Sequence, residues 1–269
     1  MDILTLFGYL GGVLIGVSLG LIGGGGSILT VPVLVYLMGT SPVLATAYSL
    51  FIVGFSSLVG SFNYIKKEMV SLKTAVIFGL PSIFAVYGTR KYLVPSIPDT
   101  IFQTGSFALS KDLGVMLLFA LLMIGASYSM IKKKKGDVEE EAKESEPQKF
   151  NYPVIMLEGL VVGTLTGLVG AGGGFLIIPA LVVLSKLPMK MAVGTSLLII
   201  ATKSLLGFMG DVANYQIDWM FLATFSLLAV VGIFIGGWLS NYVSGKKLKP
   251  AFGVFVLVMG ISIILKELL

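Results

Sequence analysis

The chain contains no cysteine and no histidine. Without cysteine there are no disulfides, thiol nucleophiles or iron–sulfur ligands. Without histidine the commonest general base, metal ligand and proton-relay group is gone. Charge is scarce as well: 12% of the 269 residues are charged, against about a quarter in a soluble domain. Arginine occurs once, at Arg90, and every other basic residue is lysine. No pair of carboxylates falls together inside an apolar run, which disfavours an intramembrane enzyme. No basic, aromatic-interleaved patch points to nucleic acid. No catalytic residue, metal site or cofactor is expected.

What the chain has in quantity is apolar residues: 56% of the total, with a mean hydropathy of +0.97. Apolar runs near 3–22, 28–38, 43–65, 71–93 and 113–131 form a first group, and runs near 153–169, 174–185, 191–212, 218–243 and 250–268 a second. This predicts an all-α polytopic membrane protein, multi-pass in the cell membrane. The first run follows no basic start and no cleavage site, so it reads as a retained span. Between the groups lies "KKKKGDVEEEAKESEPQK", too polar to bury a core. The expected organisation is a first transmembrane repeat over 1–131, a charged cytoplasmic linker over 132–150 and a second repeat over 151–269.

The two groups are copies of one another. Gly16, Gly20, Gly23, Gly25, Gly26 and Pro32 fall on Gly163, Gly167, Gly170, Gly172, Gly173 and Pro179 at a constant offset of 147. Ala45, Ser49, Leu50, Ser57 and Gly60 fall on Ala192, Ser196, Leu197, Ser204 and Gly207 at the same offset. Lysines then orient the copies. Lys66, Lys67 and Lys73 mark one loop, whereas the matching "DVANYQID" has no basic residue. With five segments per half, the halves enter from opposite sides as an inverted repeat. Cytoplasmic loops are expected near 66–73, 132–150, 186–190 and 245–249, with both termini outside. Arg90, Lys91 and Lys111, in an outer loop, run against that pattern.

Glycine clusters join the first two segments of each half. The 35 residues from Pro153 to Leu187 reach about 52 Å as helix, short of the roughly 60 Å that two crossings need. A break inside the membrane is therefore expected, tolerated only where protein or water satisfies the backbone. A helix N-terminus after each break would aim N–H groups and a positive dipole end at a cavity holding an anion. Gly23, Gly24, Gly25 and Gly26, with Gly170, Gly172, Gly173 and Gly174, are the candidate cradle. The four-residue spacing of Gly8, Gly12, Gly16 and Gly20, and of Gly159, Gly163 and Gly167, instead suits helix packing.

Several polar residues stand out within the spans. Lys203 sits mid-segment, at a cost of about 2.5–3.5 kcal/mol by insertion scales, and should face a cavity or a partner. The partner reading would use Asp211, two turns on. Ser196 shares the face of Lys203, and Ser49 and Ser56 hold the corresponding positions in the first half. Arg90 suits bidentate capture of carboxylate, sulfonate or sulfite oxygens; it equally suits an interfacial anchor beside Lys91 and Tyr92. Glu158, about a turn inside the membrane edge, is either a proton-coupling group or an interfacial carboxylate.

The doubled G-x-x-G-x-G-G-G with its following proline, "GLIGGGGSILTVP" and "GLVGAGGGFLIIP", resembles the TauE/SafE (TSUP) family of sulfite and organosulfonate exporters. "ATAYSLF", "AVGTSLL" and "GTRKYLVPSIP" add to the likeness, and Ser27 replaces the last glycine in the first copy. The resemblance implies an inner-membrane secondary transporter of small sulfur-containing oxyanions, driven by an ion gradient, with the glycine breaks and Thr195–Ser196 as binding positions. The expected partners are a small anionic substrate, the lipid bilayer and a coupling proton or cation; a homodimer is compatible, nucleic acid is not. The alternatives are an anion channel or a carrier for another small carboxylate or oxyanion.

Overall fold

The structure, a computed structural model, describes residues 3–104, 107–131, 152–183, 185, 187–240, 242 and 245–269. The expected linker lies outside them, as do the side chains of Lys246, Lys247 and Lys249.

The chain is helical almost throughout. Helix α1 (Ile3–Ile22) leads through a 3-10 turn (Gly24–Leu29) into the short α2 (Thr30–Tyr36). Then come α3 (Pro42–Lys66) and α4 (Leu72–Gly88), which continues through one π turn (Thr89–Leu93) into α5 (Val94–Ser96). A small antiparallel hairpin, β1 (Thr100–Thr104) and β2 (Phe107–Ser110), precedes α6 (Lys111–Ile131). The second half holds α7 (Tyr152–Val169), α8 (Gly174–Val183), α9 (Met189–Val212), α10 (Trp219–Leu239) and α11 (Gly245–Leu268). Among the described residues eight helices are long and apolar enough to cross a membrane. The hairpin, which periodicity did not suggest, is the one sheet among the described residues.

Start signals match between the halves. Pro42 opens α3 behind Ser41, and Pro188 caps α9 at the equivalent position of Ser41. Ser71 accepts from the Thr74 N–H at the start of α4, and its equivalent Asp218 accepts from the Phe221 N–H at the start of α10. Each satisfies a donor that the first helical turn leaves open.

The core is the α3–α9 pair. Two thirds of each is buried, against 22–39% of the other spans. The outer helices instead expose large apolar side chains such as Leu14, Phe84, Met220 and Phe234, as a lipid-facing surface requires. Around the pair, helices of opposite halves exchange partners. Gly12, Gly16 and Gly20 of α1 pack on Phe225, Ala229 and Ile233 of α10. Gly159, Gly163 and Gly167 of α7 pack on Phe78, Ser82 and Val86 of α4, the equivalents of those three at the offset of 147. At Gly16 and Gly163 the partner atoms are backbone, so these glycines serve close helix approach. Both pairings rise in the same order along the two chains, so α4 runs with α7 and α1 with α10. In contrast Gly54 meets Leu205 while Leu50 lies beside Gly207, so the equivalent helices α3 and α9 run antiparallel.

Candidate functional site

The glycine clusters lie where the helices stop. Gly23, Gly170, Gly172 and Gly173 have φ of +74, +69, +62 and +73°, the left-handed region that a side chain resists. After Gly173 the chain enters α8, and Leu176 and Ile177 both donate to the Gly173 carbonyl. The first cluster differs from expectation: it passes into a 3-10 turn, closed by Ser27 Oγ donating to the Gly24 carbonyl at 2.8 Å. Only the second break is followed directly by an α-helix.

The two breaks meet in the buried interior. The α-carbons of Gly24 and Gly174 are so close that a methyl on either would strike the other's backbone. Each break also rests on the central helix of the opposite half: Gly23 against Val193 of α9, Gly170 against Thr46 of α3. Gly24 and Gly172 flank Ile200. In this structure the glycines pack on each other and on α3 and α9. Two apolar cavities, of about 420 and 230 Å³, lie elsewhere, along α4 against α7 and α9.

Facing the breaks are stripes of the central helices. On α3, Ser49 sits between Thr46 and Val53, which touch Gly170 and Gly172. It is buried, and its hydroxyl has no hydrogen-bond partner among the described residues. Ser56 is buried but donates to the Ile52 carbonyl, and Ser196 donates to the Val193 carbonyl. Thr195 is engaged elsewhere, accepting from the Ser71 N–H at 2.9 Å.

Lys203, on the α9 stripe, is fully buried. Its Nζ donates to Thr166 Oγ1 at 2.8 Å and lies 2.9 Å from where a methyl on Gly173 would sit. Asp211 is not its partner. That carboxylate pairs with Arg90, whose Nε lies 3.5 Å from Asp211 Oδ2, both side chains fully buried. The anchor reading of Arg90 is thereby replaced: it sits in the π turn, inside the protein, at the level where α9 ends. Beyond it Tyr215, in the loop after α9, feels both charges; burial first, then Asp211, pushes its phenol above the ordinary range. Glu158 is half-buried on α7, eight residues (about 12 Å) before Thr166, and is not brought to the breaks.

Thr166 escaped the sequence reading; Ser57 and Ser204 were read there only as a matched pair of the repeat, and their buried hydroxyls lack partners among the described residues. Thr166 aligns with Leu19, so its polarity marks the half that carries Lys203. Among the described residues no three metal-ligating side chains lie together.

A polytopic helical bundle with two interrupted helices meeting beside a buried cation defines the class: a multi-pass membrane protein. The family model described as Sulfite exporter TauE/SafE matches residues 9–263, and the chain belongs to that family. It is similar to a "Probable membrane transporter protein" of Xylella fastidiosa, 30% identical over 259 residues that cover 94% of this chain and 92% of the relative. It is 29% identical over 269 residues to the "Probable membrane transporter protein YunE" of Bacillus subtilis, with the same two coverages. No solved structure matches the chain. The protein is therefore a membrane transporter of the TauE/SafE family.

Proposed function

We propose that this transporter carries small sulfur-containing oxyanions, sulfite or organosulfonates, by alternating access. The two halves act as an inverted repeat around the interlocked breaks. The carrying observation is Lys203: a fully buried ammonium beside the second break whose hydrogen bond among the described residues is to the neutral Thr166 hydroxyl. A charge with no carboxylate beside it is costly at that depth, and an anion there would supply the missing counter-charge. Ser49 offers an open hydroxyl on the opposite helix, and the left-handed glycines keep side chains out of the way. The antiparallel course of α3 and α9 and the matching of contacts at the 147 offset support the inverted arrangement.

Because the breaks touch, binding requires them to part, which one half rocking against the other provides. Radiolabelled sulfite flux in proteoliposomes tests this reading, with and without a pH gradient. Saturable flux stimulated by unlabelled sulfite on the far side is expected. Current that follows voltage without such exchange would make the protein an anion channel.

A further inference from the structure

We infer that Arg90 forms a second oxyanion site, separate from the glycine cradle and at one end of the path only. Its guanidinium is fully buried, yet Nε, Nη1 and Nη2 have no hydrogen-bond partner among the described residues. Asp211 Oδ2 stands 3.5 Å from Nε, too far for a hydrogen bond. The carboxylate thus balances the charge while the Nη1 and Nη2 donors stay unspent among the described residues. Two coplanar N–H donors on a fixed fork, one from each Nη, match two oxygens of a sulfite, sulfonate or carboxylate group. A buried guanidinium with open donors is unfavourable until such oxygens arrive.

The backbone aims this fork. Arg90 lies in the π turn, where the helix is widened by one residue, a device common at functional sites. Its Cβ packs at Gly210, one residue before Asp211, so the fork stands at the end of α9. Asp211 is eight residues beyond Lys203 on that helix, about 12 Å away. The site therefore lies between the cradle and the loops that hold Tyr215 and the hairpin, and Tyr215 is within electrostatic reach of both charges. At the opposite end the equivalents of Arg90 and Asp211 are Gly237 and Tyr64. The duplication cannot make a second such fork, so the two ends of the path differ chemically. The side chain has no exposed surface, so the fork admits an occupant only when the packing around it parts, and a small free oxyanion needs the least opening.

The competing account is a structural ion pair joining α4 to α9. Because Arg90 is the sole arginine, protein labelled with 15N-arginine gives a single Nε–Hε signal. In nanodiscs of zwitterionic lipid, the probe is sodium sulfite, against sodium chloride at equal ionic strength. We expect a saturable shift with sulfite, retained in Lys203→Met, and none with chloride. Equilibrium binding of labelled sulfite should give two ions per chain, falling to one in Arg90→Lys. An unmoved signal, a shift equal to that with chloride, a shift that vanishes in Lys203→Met, or no loss of an ion in Arg90→Lys overturns the inference. Failure of the cradle reading would show separately, as undiminished sulfite flux in Lys203→Met.

Discussion

Lys203→Met isolates the claim that a buried ammonium holds the transported anion. Methionine keeps an unbranched side chain one atom shorter and removes the charge and donors. Two opposing contributions to folding are lost together. One is the cost of a lysine mid-span, about 2.5–3.5 kcal/mol. The other is one charge-assisted hydrogen bond to Thr166, worth about 1.5–3 kcal/mol. These nearly cancel, and the Thr166 hydroxyl keeps its own bond to the Gly163 carbonyl at 3.2 Å, so no polar group is orphaned. Stability in the membrane should therefore change by no more than about 2 kcal/mol. An oxyanion that loses its charged donor at this site should bind about 10- to 150-fold more weakly, the equivalent of 1.5–3 kcal/mol. Initial rates of labelled sulfite uptake into proteoliposomes, over a range of sulfite, give the apparent KM. A thermal melt of the same preparation reports the fold. An unchanged KM for sulfite and for organosulfonates in a folded variant refutes the assignment. Lost stability with unchanged transport would make Lys203 a structural residue.

Ser49→Ala removes a buried hydroxyl without a partner, so it should leave the melting temperature equal or higher while raising the KM for the anion. Gly173→Ala meets both a left-handed backbone, about 1–2 kcal/mol, and Lys203 Nζ at 2.9 Å. It should abolish uptake, whereas Gly39→Ala, at φ +69° in open space, should cost stability alone in the same melts. Asp211→Ala strands a buried guanidinium and should cost about 3–5 kcal/mol, while Arg90→Met with Asp211→Leu should be close to neutral in denaturant titrations. Gly16→Ala, facing the Ala229 and Ile233 backbone, should destabilise by about 1–3 kcal/mol. Gly125→Ala, with nothing near it, should gain about 0.5–1 kcal/mol.

The helices were legible because their apolar runs are long and their stops are chemically marked. Expected runs at 3–22 and 43–65 are α1 at Ile3–Ile22 and α3 at Pro42–Lys66. The glycines of α1 and α7 were legible as a packing ridge because a spacing of four places them on one helix face. The hairpin was not: "TIFQT" and "FALS" are too short to show alternation between the spans that flank them. The candidate site was legible only as residue types. Lys203 stood out because a charge mid-span needs a reason, and the glycine clusters because no helix wants them. Partner choice was not legible. Asp211 is the nearest acid to Lys203 along α9, yet it pairs with Arg90, 121 positions earlier in the chain, because the π turn of α4 ends beside α9. Thr195 lies within "AVGTSLL", a stretch the resemblance makes a binding position, but its hydroxyl accepts from the Ser71 N–H.

By itself the sequence determined that this chain lives in a membrane, that it is a duplication, and where its helices must break. Those properties depend on transfer of side chains from water and on local backbone freedom, both of which act within one segment. Which break touches which helix, that Gly24 abuts Gly174, and that one buried cation finds an acid while the other finds only a hydroxyl were decided by tertiary structure. Contacts between segments more than a hundred residues apart are set by how whole helices pack, and no local pattern carries that information.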